Sequence, residues 1–149
     1  MATNMTILAG TVGQGVMRSP DGGEKWQRMG IGDGLHSDAI IRTLASHPSA
    51  PARVFAGTDR GLTKSEDAGK TWRPVETPMD GAMIWSLAID PADPRRMFAG
   101  TGTPGPARMF RSEDGGASWQ QRPVQVADEC PAVGVPRFTG IAIGGESVW

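Results

Sequence analysis

One short segment occurs three times in this chain, at residues 19–26, 65–72 and 112–119. In each copy a serine is followed by an aspartate, a glycine and a closing tryptophan at fixed spacing. The three aspartates are 46 and 47 residues apart. An Ala-Gly-Thr triplet precedes each copy, at residues 9–11, 56–58 and 99–101. Elements in one fixed order and at one period indicate a repeat architecture.

The repeat unit has the pattern of four short strands. In the clearest unit, apolar runs separated by turn residues lie at 84–89, 96–100, 107–111 and 119–124. The end of the first run, from Leu87, has equivalents that begin at Leu44 and Ile141. Runs of four to six residues suit strands and are too short for helices. We therefore predict an all-β fold, a β-propeller of four-stranded antiparallel blades.

The repeated segment suits a tight turn after the third strand of a blade, and we call it the Asp turn. An aspartate side chain accepts hydrogen bonds from backbone N–H groups a few residues further on. A glycine adopts positive φ without steric cost, and the tryptophan is expected to be buried between sheet layers. The residues with these structural roles are Ser19, Asp21, Gly23, Trp26, Ser65, Asp67, Gly69, Thr71, Trp72, Ser112, Asp114, Gly116, Ser118 and Trp119. The spacing lacks the oxygen ligands and the distal glutamate of a calcium loop, so we predict no metal site.

The pattern Ser-x-Asp-x-Gly-x-Thr-Trp resembles the Asp-box, also called the bacterial neuraminidase repeat (BNR). All three copies match it at serine, aspartate, glycine and tryptophan, whereas Lys25 replaces the threonine in the first copy. The Asp-box occurs in sialidases, sortilin-like receptor domains, xyloglucan-degrading glycosidases and photosystem II assembly factors. The resemblance implies a β-propeller of the WD40/YVTN/BNR-like kind, with the Asp turn at the blade periphery.

The strand count predicts an incomplete ring. The chain opens on the second strand of one blade, at 5–11, and ends on the second strand of a later blade, at 147–149. That is a little over three blades, whereas closed propellers usually have about four to eight. We expect residues 1–149 to be a partial β-propeller of a ring of about six to eight blades. The alternative is a chain that self-associates to complete a ring.

The composition argues against nucleic-acid and membrane partners. The chain has 15 lysines and arginines against 16 acidic residues, so its formal charge of −1 exerts no general pull on nucleic acid or anionic membranes. A single cysteine cannot form a disulfide framework. Residues 1–10 carry no basic segment followed by an apolar core, so the default prediction is a cytoplasmic location. We predict no cofactor.

Loop lengths vary on one face of the predicted propeller, the face opposite the Asp turns. Insertions accumulate where repeat proteins bind ligands, so we expect the site there. The candidate ligand-binding residues are Arg42, Arg60, Trp85 and Asp59. Arg42, Trp85 and Thr139 are equivalent positions expected to ring the central channel. For Trp85, packing within the inner strand is an equally open alternative.

The sequence predicts a non-catalytic binding or assembly scaffold that presents its channel face to a protein or a carbohydrate. The prediction rests on two observations: the residues of the Asp turn recur in all three copies, whereas no set of catalytic residues can be recognised. The chain has no tyrosine, so it cannot supply the nucleophile that the resemblance to sialidases implies. The alternative is a glycoside hydrolase-like enzyme that uses channel-face carboxylates, with Asp38, Asp59 and Asp80 as candidate catalytic residues.

Overall fold

The repeat unit folds as a small antiparallel sheet in a computed structural model, which describes residues 5–127 and 129–144. In that part of the chain, eleven strands form three sheets. The strands are β1 (Ile7–Gly10), β2 (Val16–Ser19), β3 (Gln27–Met29), β4 (Ile41–His47), β5 (Ala50–Thr58), β6 (Gly61–Ser65), β7 (Arg73–Val75), β8 (Met83–Ile89), β9 (Met97–Gly102), β10 (Met109–Ser112) and β11 (Gln120–Arg122).

Each sheet is a meander in which strands that follow one another in sequence are also neighbours. The first sheet consists of β1 to β3, the second of β4 to β7 and the third of β8 to β11. The described residues include one short 3-10 helix, Ile31–Asp33, and no α-helix. None of their helices is long and apolar enough to cross a membrane. The predicted all-β fold with four-stranded antiparallel units is confirmed.

The three Asp turns share one set of hydrogen bonds. In each, the serine hydroxyl donates to the aspartate Oδ1 over 2.8 Å. The backbone N–H of the glycine donates to the serine Oγ over 2.8 to 2.9 Å. The tryptophan indole N–H then donates to the carbonyl oxygen of that glycine over 3.0 to 3.1 Å. The turn is therefore closed by contacts within its own eight residues.

The second and third turns share a hydroxyl contact that the first lacks. The hydroxyls of Thr71 and Ser118 donate to Oδ2 of Asp67 and Asp114, over 2.6 and 2.5 Å. Burial opposes ionisation of Asp67, but hydrogen bonds from Thr71 and Ser65 outweigh it and lower its pKa to about 2. The Ser118 hydroxyl is the main cause that lowers the pKa of Asp114 to about 2. These carboxylates are therefore held in the ionised form.

The apolar core lies between the sheets. Trp72, which is 5% exposed, shares a cluster with Val16 and Met29 of the first sheet. Trp119, which is 7% exposed, shares a cluster with Phe55 of the second sheet. Each of these tryptophans is thus buried against the sheet that precedes its own.

Trp26 corrects the expectation that all three tryptophans are buried, because 44% of it is exposed. Its indole N–H still donates to Gly23 over 3.0 Å, so its turn is intact. Among the described residues, no sheet precedes the first one. Trp26 therefore lacks the surface that covers Trp72 and Trp119.

The glycines of the Ala-Gly-Thr triplets mark where neighbouring sheets meet. A Cβ atom would lie 2.7 Å from Ile41 at Gly10, 2.8 Å from Ile84 at Gly57 and 2.4 Å from Phe138 at Gly100. Carbon atoms in favourable contact are about 3.5–4.0 Å apart, so a side chain at these positions would clash. The glycines allow the first strand of the next unit to approach the backbone closely.

Two strands were predicted after residue 138, and the structure describes only the first of these two segments. No strand is assigned over residues 138–144, so a first strand there is not formed. The segment only begins to dock: Arg137 bridges Gly102, and the Phe138 N–H donates to the Thr101 carbonyl over 3.4 Å. Pro136 precedes these two residues, and no described strand lies beyond them for the rest of the segment to pair with. The predicted strand at 147–149 lies outside the described residues.

Candidate functional site

Three of the predicted site residues line one cavity of about 170 Å³, which lies between the second sheet, the loop that precedes β4 and the loop before β8. Asp59 and Arg60 come from the turn between β5 and β6, and Asp80 comes from the loop that connects β7 to β8. His36 and Glu76 line the same cavity. Because the turns of an antiparallel meander alternate between its two ends, these connections meet at one end of the sheet.

Hydrogen bonds hold one carboxylate oxygen of Asp59 and one of Asp80. The backbone N–H of Ile40 donates to Asp59 Oδ1 over 3.0 Å. Thr77 donates to Asp80 Oδ1 through its backbone N–H and its hydroxyl, over 3.1 and 3.2 Å. No described residue donates a hydrogen bond to the second oxygen of either carboxylate. The side chains are thereby oriented. The second oxygen of Asp59 lies 3.9 Å from Nε of Arg60, whereas that of Asp80 remains an acceptor atom for a ligand.

Asp38 is paired with Arg60 at the rim of the cavity. The Arg60 guanidinium donates to both Asp38 oxygens over 3.1 to 3.2 Å. This hydrogen-bonded ion pair lowers the pKa of Asp38 and raises the pKa of Arg60. A general acid of a glycosidase needs a raised carboxyl pKa, so the shift at Asp38 runs against that role.

Arg42 and Trp85, predicted to ring the channel, are brought together by the structure. The guanidinium carbon of Arg42 lies 4.4 Å from the centroid of the Trp85 ring, and that of Arg137 lies 4.6 Å from it. The indole N–H donates to the Thr103 carbonyl over 3.1 Å. Both approaches are within the range of cation–π attraction. Trp85 therefore contacts two cations.

The predicted ligand-binding residues thus fall into two groups. Asp59 and Arg60 belong to the cavity, whereas Arg42 and Trp85 belong to what we call the Arg–Trp cluster, which also contains Arg137. Sequence reasoning did not select Glu76 or Thr63, which also line the cavity. Neither residue belongs to a repeated motif, so the sequence carries no signal for them.

Comparison with known sequences favours an enzyme. No family model matches the chain. A xyloglucanase of Hypocrea jecorina (strain QM6a) is 34% identical to it over 117 residues, which are 78% of this chain and 14% of that protein. The chain therefore spans a small part of the length of this relative. The prediction of a non-catalytic scaffold is wrong, because this similarity favours the glycoside hydrolase-like alternative.

Comparison with solved structures concerns the fold. An ancestral GH74 enzyme matches with a TM-score of 0.65 and 23% identity, over 80% of this chain and 18% of that one. YCF48 bound to D1 peptide matches with a TM-score of 0.58 and 17% identity, over 80% and 38%. YCF48 from Cyanidioschyzon merolae gives a TM-score of 0.58 at 20% identity, over 82% and 38%. These neighbours are β-propellers, so the described sheets of this chain are consecutive blades of a β-propeller.

Proposed function

We propose that this chain contributes substrate-facing loops to a glycoside hydrolase-like β-propeller that acts on a polysaccharide of the xyloglucan type. The observation that carries the proposal is the 34% identity with the Hypocrea jecorina xyloglucanase over 117 residues. The partner of the channel face is then a carbohydrate. The location of the cavity on the face with variable loops supports the same assignment.

Asp59 and Asp80 are the proposed carboxylates of this site. Glycoside hydrolysis passes through an oxocarbenium-like transition state, which a nearby carboxylate stabilises. Both residues line the cavity, and in both one oxygen is fixed by hydrogen bonds while the other accepts none from the described residues. A carboxylate held in this way loses little freedom when a sugar binds.

Asp38 and Arg60 have a supporting role in this proposal. Asp38 is ion-paired on the outside of the cavity, and it orients the guanidinium of Arg60, which lines the cavity. The guanidinium has five N–H donors in a planar arrangement, and the ion pair does not use all of them. We assign Arg60 the binding of sugar hydroxyls, with Asp38 as its positioning residue.

The Arg–Trp cluster lies at the predicted channel mouth. Its indole ring is less available for stacking on a sugar than a free indole would be. A sugar ring stacks on an open aromatic face, but guanidinium groups already lie within 4.4 and 4.6 Å of the Trp85 ring centroid. In this proposal Arg42 and Arg137 donate hydrogen bonds to the glycan, and Trp85 holds the two guanidinium groups in place.

The experiment measures hydrolysis and binding of xyloglucan. The chain is incubated with xyloglucan, and new reducing ends are counted for the parent and for Asp59→Asn and Asp80→Asn. We expect turnover that falls by about 100-fold or more in at least one variant, as for loss of a catalytic carboxylate. Asp93→Asn is the matched control, because Asp93 lies in the loop between β8 and β9, at the opposite end of its sheet. Absence of both turnover and xyloglucan binding would contradict the proposal.

A further inference from the structure

The threonine of the second Ala-Gly-Thr triplet closes the turn between β5 and β6. The Thr58 hydroxyl donates to the Gly61 carbonyl over 2.9 Å, and its oxygen accepts the backbone N–H of Arg60 over 3.0 Å. Thr58 is buried, with 4% of the residue exposed. Because a hydroxyl donates one hydrogen bond and accepts others, this single side chain holds the turn at two points.

The same two bonds recur in the other sheets, and we call the three turns the Thr turns. The Thr11 hydroxyl donates to the Gly15 carbonyl over 2.7 Å and accepts the Gln14 N–H over 3.1 Å. The Thr101 hydroxyl donates to the Pro106 carbonyl over 3.0 Å and accepts a backbone N–H further along its loop over 3.1 Å. The donated bonds enclose segments of different length, at 12–14, 59–60 and 102–105. The threonine therefore closes each turn whatever the enclosed residues are.

In the second sheet the enclosed residues are Asp59 and Arg60, which line the cavity. The two neighbouring loops also hold this turn. The Ile40 N–H donates to Asp59 Oδ1 over 3.0 Å, and the Asp59 N–H donates to the Ile40 carbonyl over 3.1 Å. On the other side, the Gly81 N–H donates to the Arg60 carbonyl over 3.2 Å. Thr58 thus fixes the backbone between two sets of contacts.

Loss of the Thr58 hydroxyl would disturb these contacts. It would remove the acceptor of the Arg60 N–H and one donor to the Gly61 carbonyl. Backbone polar groups away from water need a partner, so the turn would shift to restore one. Asp59 and Arg60 would move with the turn. A displacement of about 1 Å at a site can lower a reaction rate by about 100-fold.

We propose that Thr58 is a positioning residue that fixes Asp59 and Arg60 at the cavity. Its hydroxyl sets the backbone of the turn, and the turn presents the Asp59 carboxylate to Ile40 and the Arg60 guanidinium to Asp38. The consequence for sugar binding rests on the proposed function, whereas the positioning itself does not.

Amide hydrogen exchange measured by NMR tests the positioning without a ligand. The N–H groups of Ile40 and Gly81 report on the turn, because they donate to Asp59 and Arg60. Thr58→Val keeps the shape of the side chain without the hydroxyl, and it should speed exchange at both groups by about tenfold, as expected for a lost hydrogen bond. Thr58→Ser keeps the hydroxyl and should exchange like the parent. Unchanged exchange in Thr58→Val, or equally fast exchange in Thr58→Ser, would overturn the proposal.

Thr101→Val is the matched control for a general loss of stability. It removes the same pair of bonds from the turn between β9 and β10. Exchange should become faster at the Arg108 N–H, which loses its acceptor, and stay unchanged at Ile40 and Gly81. If Thr101→Val speeds exchange at Ile40 and Gly81 as much as Thr58→Val does, the effect is not positioning and the proposal is wrong.

Binding of xyloglucan separates this proposal from the proposed function. Thr58→Val should bind xyloglucan about tenfold less tightly than the parent, and Thr58→Ser should bind like the parent. If exchange changes as expected while the parent neither binds nor cleaves xyloglucan, the proposed function fails and the positioning by Thr58 is supported. If the parent binds xyloglucan and Thr58→Val binds it equally well, the turn does not position the binding groups and the proposal is refuted.

Discussion

The first and second Asp turns share three local hydrogen bonds and have different surroundings. In both, the serine bonds the aspartate, the glycine N–H bonds the serine, and the indole N–H bonds the glycine carbonyl. Yet Trp26 is 44% exposed and Trp72 is 5% exposed. The difference shows that the turn forms from its own residues, whereas the burial of its tryptophan depends on the preceding sheet.

The largest effect that we expect from this comparison is at the buried tryptophans. Trp119→Ala removes a side chain from the cluster between the second and third sheets, and it should lower the free energy of unfolding by about 3–5 kcal/mol. Trp26→Ala should lower it by less than about 1 kcal/mol, because nearly half of the side chain is exposed to solvent. Urea denaturation measures both. Equal losses of unfolding free energy in the two variants would contradict the conclusion that only Trp119 is buried by a preceding sheet.

A smaller effect is expected where the sheets meet at the Ala-Gly-Thr glycines. Gly57→Ala would bring a Cβ within 2.5 Å of Thr43 and 2.8 Å of Ile84, so it should lower the free energy of unfolding by about 1–3 kcal/mol. Gly32→Ala is the matched control, since a Cβ at Gly32 meets nothing within 4 Å. Thermal unfolding of both variants is the measurement. A neutral Gly57→Ala would show that the contact between sheets is looser than described.

The aspartates of the first two turns differ in hydrogen bonding, because Asp67 accepts four hydrogen bonds and Asp21 accepts two. Asp67→Ala removes bonds from Ser65, Lys70 and Thr71, and it should lower the free energy of unfolding by about 1–2 kcal/mol. Asp21→Ala should cost less, because Lys25 occupies the position of Thr71 and supplies only its backbone N–H. Denaturation midpoints of the two variants test the order. A reversed order would contradict this description of the turn.

The pH dependence of stability should follow Asp67 and Asp114. Their folded pKa of about 2 lies below the ordinary value of 3.8, so their stabilising contribution is complete above about pH 4. It is lost as the pH falls from about 4 towards 2, because the protonated carboxyl accepts these bonds poorly. Thermal midpoints across this range should fall less steeply for Asp67→Ala than for the parent. Parallel curves would argue against the lowered pKa.

The smallest effect tests the one departure within the repeat. Lys25→Thr introduces a hydroxyl at the position from which Thr71 donates to Asp67 over 2.6 Å. We expect a small rise in thermal midpoint, since the first turn then gains the contact that it lacks. Thr71→Lys is the reciprocal variant and should lower the midpoint. Two shifts of the same sign would show that the hydroxyl contact does not decide the difference.

Much of the fold could be predicted because each strand and turn of the repeat is determined by residues that are close together in the sequence. The predicted strand at 84–89 corresponds to Met83–Ile89, and the run at 107–111 corresponds to Met109–Ser112. Exposure of Trp26 could not be predicted from its motif, because the motif is the same as at Trp72. Burial depends on which sheet lies alongside, and the sequence of one turn does not contain that.

For the candidate site, the sequence predicted only the face of the propeller on which to look for it. Loop lengths indicated the end of the sheets at which Asp59 and Asp80 line one cavity. The ion pair between Asp38 and Arg60 joins residues 22 positions apart, and no spacing rule links them. Likewise, the approach of Arg137 to Trp85 depends on how the segment after β11 returns to the channel.

The central claim is that the tryptophan of an Asp turn is buried by the preceding sheet and not by the turn itself. Its most direct test is hydrogen exchange of the indole N–H groups by NMR. All three donate to a glycine carbonyl, so their local bonds are alike. We expect strong protection at Trp72 and Trp119 and fast exchange at Trp26. Equal protection of all three would contradict the claim, because the hydrogen bond within the turn would then be sufficient to protect the indole.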